Sequence, residues 1–576
     1  MIKRIFAVLL LGCMLCLVFA GCGKTDLQKS QEYMDKHPLE EEALYSVSFC
    51  LVSDAAIDPV VLAGMSAEFN RYTEGNYNIH VEFTNVTAAE YAAWLEERFT
   101  AVEAAHAVHV AEEAEVTAAK TEYETVQKNA DATAVEKYTA ELNYDVALTA
   151  YLAKTRNWSE ELVAEITAHL DAAREALGKN YTTTAYNELS AAEGIITTNL
   201  AKKNEGGSMG SDIRKIYPEI KDDQFDIIYI ENYEMLSSLV RADRLRDMTE
   251  DLNSKDYRLI KKQMTEKFFE ATKLAGKIYA VPNCRVLANY KDMRVNVEKA
   301  NYYNYSLKKE LSDYDSTSML RQAIAAEGAN SADYVQKDID GDYNYRTVLE
   351  EDGAWWVYAS ATAQLPLVNQ TDLMEGMFAL TKYAYVDDGG TKLTQDDDFC
   401  PAVKILYAIS SERALHTTLQ YGAPGLTYTL ETAEKGNEKA TVVVPITTTG
   451  YSYDVDPKYT GNTFSLYPTL EEFENGIQNA NKIQNSETRI TTQIFAVGVA
   501  STNEDCQVAI SCEFGKVGEK VTLTATPAEG FKFDNWFIKG EDGDEDDILS
   551  TSTVYEYTIV NTDVTITAQF SAVEEE

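Results

Sequence analysis

The feature that most limits how this chain can fold is a long proline-free run set inside strand-and-helix text of another kind. No proline occurs between Pro59 and Pro218, and residues 101–205 hold 24 alanines. Alanine is the strongest helix former and proline the strongest breaker, so long uninterrupted helices are expected throughout this run. Val135, Tyr138, Leu142, Leu148 and Leu152 fit one apolar stripe at helical spacing. Leu162, Ile166, Leu170, Ala173 and Leu177 fit a second, and Tyr186, Leu189, Ile196 and Leu200 a third. With turns at 128–134, 154–159 and 178–183 and a stop at Gly206-Gly207, the spacing predicts an inserted hairpin or bundle of three to four helices over residues 101–207.

The flanking text alternates strand and helix. Val47-Ser48-Phe49-Cys50-Leu51-Val52 reads as a strand. Asp58-Pro59 supplies an N-cap and a first-turn proline for a helix carrying Val61, Met65, Phe69 and Tyr72. Ile79-His80-Val81-Glu82-Phe83 is a second strand. Thr87-Ala88-Ala89-Glu90 has the form of a capping box, and it opens a helix with Tyr91, Leu95 and Phe99. The next strand, Phe225-Asp226-Ile227-Ile228-Tyr229-Ile230, arrives only after the alanine-rich run. This order predicts a parallel α/β layer.

Several segments then line up in a recognisable order: the strand before "VSDAAID", "NYNIHVEF", "FDIIYI", "LRDMT", "GKIYAVPN", "LQYGAPGLTYTL" and "YTGNTFSLYP". Together they resemble the extracellular solute-binding proteins of ABC importers, family 1, lipoprotein type. The resemblance spans residues 44–500 with the helical insertion excised. It implies an α/β, two-lobed, periplasmic-binding-protein-like fold that closes on a solute by a hinge, performs no catalysis and docks on ABC permease subunits. The chain also departs from that family, whose members continue past the "GN…YP" segment into further helices. Here Ile494-Phe495-Ala496-Val497-Gly498-Val499 is followed by sequence of another style, so the binding portion is expected to be shortened or remodelled. Residues 507–571 alternate as half-buried strands and look like one divergent internalin-B-type repeat, a small C-terminal β domain with Phe531, Trp536 and Phe570 as its core.

The N-terminus bears on location. Met1-Ile2-Lys3-Arg4 is basic, Ile5 to Phe19 is almost unbroken apolar sequence, and Phe19-Ala20-Gly21-Cys22 ends it with small residues before a cysteine. This resembles a bacterial lipoprotein signal. It implies a leader over 1–21, acylation of Cys22, a tether over 22–43 and residence on the extracellular face of the cell membrane through the lipid. An uncleaved anchor helix is the alternative, against which the short apolar run counts. The formal charge of −42, or −44 without Lys3 and Arg4, repels phosphate backbones and anionic headgroups. No nucleic acid is expected as a partner, and membrane contact is expected from the lipid alone. The cysteines beyond Cys22 are Cys50, Cys284, Cys400, Cys506 and Cys512, scattered and odd in number, and are expected to be reduced and buried.

Candidate ligand contacts follow from chemistry. Sugars offer flat apolar faces that stack on aromatic rings, so Trp355-Trp356 is either a stacking platform on a loop or part of a strand buried on both faces. Asp54 follows the first strand and Asn283 follows "YAVP", where open α/β sheets collect their ligands. Capping explains either of them as well. Tyr229 lies in the same region. Asp338, Asp340 and Asp342 alternate like the start of a calcium loop. Tyr343 replaces the required glycine and Leu349 stands where the bidentate glutamate belongs, so a solvated acidic turn is the favoured reading and calcium the alternative. No other cofactor is expected. His106, His109 and Glu113 share a helical face that suits either zinc or a polar seam, the latter favoured. Gly206-Gly207-Ser208-Met209-Gly210 matches a nucleophile-elbow pattern, but it follows a helix, not a strand. The expected function is capture of an oligosaccharide or similar polar solute, without enzymatic activity. The alternative is a surface adhesin or scaffold built on a degenerate solute-binding fold, with a glycan-cleaving enzyme a distant third.

Overall fold

The computed structural model describes residues 40–155, 158–200, 213–216, 219–258, 260–261, 264–303, 316–341, 348–351, 354–358, 365–387, 399–540 and 546–573. Cys22 and the leader, Asp342 and the Gly206–Gly210 motif lie outside them. The chain divides into two compact units, 1–44 with 204–217, and 45–203 with 218–576. In the first, Glu40–Ala43 pairs in parallel with Ile213–Ile216.

The second unit is organised by a five-stranded sheet: β1 (Tyr45–Ser53), β2 (Ile79–Thr87), β3 (Ile227–Ile230), β4 (Ala280–Pro282) and β5 (Met377–Leu380), in the order β2-β1-β3-β5-β4. β1 runs parallel to β2 and β3, while β5 is antiparallel to β3 and β4. All four residues of β3 and of β5 are buried, as strands covered on both faces must be. The first helix, α1 (Pro59–Tyr77), begins as its sequence directs: Asp58 accepts from Val60 N, Pro59 sits in the first turn, and Val61, Met65 and Phe69 face inward. Asn70 then locks α1 to β2, its side chain accepting from Val81 N at 2.7 Å and donating to Val81 O at 2.9 Å. The capping box expected at Thr87 is incomplete. Thr87 Oγ1 gives its one proton to Glu90 Oε2 (2.6 Å), and no side chain caps the helix amides.

That helix, α2 (Ala88–Lys128), is a single rod of 41 residues. Its first part belongs to the sheet, with Tyr91, Leu95, Phe99 and Val102 buried in the central core. Its second part joins α3 (Ala134–Thr155), α4 (Glu160–Gly178) and α5 (Thr182–Leu200), whose turns fall where the sequence puts them. The bundle has its own apolar core of residues such as Leu142, Ile166, Leu170, Leu189 and Ile196. Arg244 clamps the rod in its first half, bonded to Glu96 (2.6 Å) and Glu103 (2.8 Å). His106 and His109 also tie the rod to the sheet, and His109 packs at the same time on Tyr151 of α3, 5.5 Å between rings. The first packs on Tyr383 (5.2 Å between rings) and the second bonds Asp223 at 2.5 Å.

A second α/β layer is smaller than the first and antiparallel. Val335–Gly341, Tyr290–Asn296, Ala354–Tyr358 and Val348–Glu351 pair in that order, with Val295, Ala300, Leu320, Ile324 and Val335 as the core they share with two short helices. At the C-terminal end, Ile494–Ser501 pairs in parallel with Val564–Ala572 and antiparallel with Phe514–Lys516. The C-terminal β sheet therefore starts at Ile494 and not at Gln507, and residues 494–500 belong to it instead of to the α/β domain. Hydrogen-bond partners distant in sequence decide that boundary, which composition does not reveal. Trp536 is fully buried beside Phe533, which itself packs on Phe570. This module is not hinged on a loose linker. Lys516 pairs with Glu234 at 2.5 Å and Arg241 with Glu519 at 2.8 Å, both on helix α6 (Tyr233–Arg241), and the module's apolar residues run into the central core. Cys50, Cys284, Cys400, Cys506 and Cys512 are free and buried, as expected.

Candidate ligand cleft

The connection from β1 runs out to β2 and returns across β1 to β3, so the chain's winding reverses between β1 and β3. Open α/β sheets form a crevice outside the carboxyl ends of strands at such a point. Here the crevice is a cleft of about 180 Å³, lined among others by Tyr91, Tyr229, Glu231, Glu375, Lys458 and Tyr459.

Each wall is placed by its element. Tyr229 stands in β3, buried, with its ring 5.2 Å from that of Tyr459 at a steep 62°. Tyr91, from the first turn of α2, donates its hydroxyl to the Tyr229 carbonyl at 2.5 Å. Tyr459 donates to Asp54 Oδ1 at 2.8 Å, which fixes the exposed carboxylate just beyond β1. Lys458 lays its ammonium 4.7 Å over the Tyr459 ring. The short segment carrying both residues begins with Asp456, whose side chain accepts from Lys458 N at 2.8 Å, and with Pro457 in the first turn. Asn283 holds the same segment from behind, donating to the Lys458 carbonyl. Gly376 (φ 80°) lets that carbonyl approach, since a Cβ there would lie 2.5 Å from it.

Burial raises the phenols of Tyr91, Tyr229 and Tyr459 above their ordinary range, and for Tyr459 the bond to Asp54 adds to it. All three stay protonated at neutral pH and act as neutral aromatic walls; the Tyr91 and Tyr459 hydroxyl protons are already given to the Tyr229 carbonyl and to Asp54, so their oxygens face a solute as acceptors. Glu231 and Glu375 supply further acceptors, and Lys458 one cation. Such a set can grip a neutral polyhydroxylated molecule through its ring faces and hydroxyls. His416, one of the histidines on which a serine mechanism could draw, is fully buried and bonded to Ser465 Oγ at 2.8 Å. Burial lowers its pKa to about 3, so it remains neutral.

Of the residues singled out from sequence, Tyr229 lines this cleft, Asp54 touches it only through Tyr459, and Asn283 supports it from within the core. Trp355 and Trp356 do not line it. They lie on the second sheet, in a strand that is not buried on both faces: alternation leaves Trp355 54% exposed and puts Trp356 inside at 6%, under the guanidinium of Arg294 at 4.7 Å. Asp338 and Asp340 fall in the strand Val335–Gly341 of that sheet. Sequence reasoning missed Tyr91, placed only in a helix, and Lys458 and Tyr459. The signal for the last two was the "YTGN" segment, which Tyr459 opens and Lys458 precedes.

Residues 500–574 match the sequence profile of the Divergent InlB B-repeat domain. The expected β module is that domain. No curated protein matches the chain. Among solved structures, the N-glycan transport solute binding protein of Streptococcus pneumoniae aligns at 10% identity over 77% of this chain and 83% of its own, with a TM-score of 0.33, and so does its complex with Man5GlcNAc. A sugar transporter of Rhizobium etli in an open conformation aligns at 12% identity over 45% of this chain and 33% of its own, with a TM-score of 0.15. At such superposition values the function has to be read from the chain's own geometry.

Proposed function

We propose that this chain is a non-catalytic solute-binding protein that takes an oligosaccharide or similar polar solute in the cleft between the ends of β1 and β3. The observation that carries the reading is the cleft's composition at the winding reversal: three protonated tyrosines facing carboxylate acceptors, with no activated nucleophile among its walls. In the same reading Cys22 is acylated, the protein is held outside the cell by that lipid, and the loaded form hands its solute to a membrane permease. Calcium at Asp338, Asp340 and Asp342 would be only a structural ion, although the strand Val335–Gly341 that holds the first two is not the acidic turn expected there.

Calorimetry against a panel of plant and host oligosaccharides tests this. Tyr459→Ala removes a ring and the hydroxyl that orients Asp54, and is expected to weaken binding about tenfold or more, ~1.4 kcal/mol. Trp355→Ala, outside the cleft, is expected to bind as wild type does. If wild type binds no member of the panel while remaining folded, the solute-binding reading fails and the scaffold reading takes its place. The small second layer and the firmly packed C-terminal module favour that second reading.

A further inference from the structure

The helical insertion contains a group that a packed bundle should not tolerate. The buried positions of α3 are Ala140, Leu142, Asp145, Thr149 and Leu152, and two of the five are polar. Thr149 satisfies itself by donating to the Asp145 backbone carbonyl at 2.7 Å. Asp145 does not: its side chain is 5% exposed, and Oδ2 has no hydrogen-bond partner. A buried ionised carboxylate without donors is among the costliest groups a core can hold.

The surroundings make ionisation harder still. Glu141 stands one turn earlier on α3, and Glu193 faces the site from α5. From α2 come Tyr123 and Glu124, and from α3 Tyr144. The two tyrosines stack at 5.8 Å and 11°, and Glu124 has Lys128 3.6 Å away. α4 brings Ile166, Leu170 and Ala173 to the same core. The charges acting on Asp145 are thus negative on both sides.

We propose that Asp145 is a proton switch of the helical insertion: protonated, it lets α3 close against α2 and α5, and on ionisation it loosens that packing while the central sheet stays intact. Burial, then Glu141 and Glu193, push the Asp145 carboxyl up to about 7 from its ordinary 3.8. A carboxyl whose folded value is raised stabilises the fold fully below its unfolded value, and that contribution disappears as pH rises through the folded one. The insertion is therefore tight in acid and loosens through neutrality. The inference is independent of what the cleft binds.

Hydrogen exchange of the full chain, followed by mass spectrometry and corrected for intrinsic rates, tests the switch. Between pH 6 and pH 8, protection in α3 and α5 is expected to fall about tenfold, with β3 unchanged as the internal reference. Asp145→Asn, which mimics the protonated acid, is expected to abolish the pH dependence. Glu193→Gln, at an exposed position, is expected to move the wild-type midpoint to lower pH, which a merely structural role for Asp145 would not do. Three results would each overturn the proposal: equal pH dependence in wild type and Asp145→Asn, a midpoint unmoved by Glu193→Gln, or restoration of protection at pH 8 by millimolar calcium, which would make the site a metal site.

Discussion

The heaviest single polar junction in the central sheet is Asp226, and its removal can be given a magnitude. Its buried carboxylate accepts from four donors: Ser48 N and Ser48 Oγ at 2.8 Å, Gln224 Nε2 at 2.9 Å and Tyr385 N at 2.8 Å. These tie β1 to β3 and both to the segment after β5. Asp226→Ala leaves four donors without their acceptor. At about 1 kcal/mol net for each, the loss is about 4 kcal/mol. The thiol of Cys50, on β1 two residues beyond Ser48 and 2% exposed, reports sheet opening without any added probe. A 4 kcal/mol loss raises the open population roughly a thousandfold, and with opening fast relative to reaction, alkylation of Cys50 should accelerate by the same factor. Asp226→Asn retains one acceptor oxygen and should lie between wild type and alanine. Acceleration of less than about tenfold in Asp226→Ala would refute the view that this carboxylate, and not apolar burial alone, fastens β1 to β3.

Two further outcomes are expected. Cys22→Ala should release the chain from the membrane fraction or leave it unprocessed, checked by fractionation and intact mass, since no described helix is apolar and long enough to hold it there and a diacyl anchor contributes roughly 0.8 kcal/mol per buried methylene. Replacing residues 112–206 by a Gly/Ser linker should preserve the thermal transition of the remainder better than replacing 104–206, because the shorter excision keeps His106 against Tyr383 and His109 on Asp223; equal melting of the two would show that these contacts do nothing.

What the sequence made legible was local. Asp58-Pro59 announced the start of α1, β-alternation announced β1 and β2, and the alanine-rich run announced both the bundle and its turns. What it concealed was non-local or a matter of facing. Leu148 packs against the bundle core as its spacing predicts, but the helix also turns Asp145 and Thr149 inward, a choice decided by α2 and α5 rather than by α3 itself. Trp355-Trp356 looked like a platform because adjacent aromatics are conspicuous, yet strand geometry sends neighbours to opposite faces. Tyr459 was silent because its role depends on Asp54, a residue 405 positions away. Ile494–Ser501 was assigned to the wrong neighbour because its partner strand comes at the far end of the chain.

The 41 residues of α2 make a rod about 60 Å long, and a stiff rod gripped part-way along is a lever. Arg244 is the fulcrum, holding Glu96 and Glu103. On one side, about 13 Å from the centre of that grip, Tyr91 rests against the cleft wall, and on the other the rod reaches about 43 Å to Lys128. A solute that pushed Tyr91 aside by 1 Å would swing the outer end by roughly 3 Å in the opposite sense. Occupancy of the cleft would thereby be written mechanically into the position of the bundle, legible from outside to anything that touches the helices without ever reaching the solute.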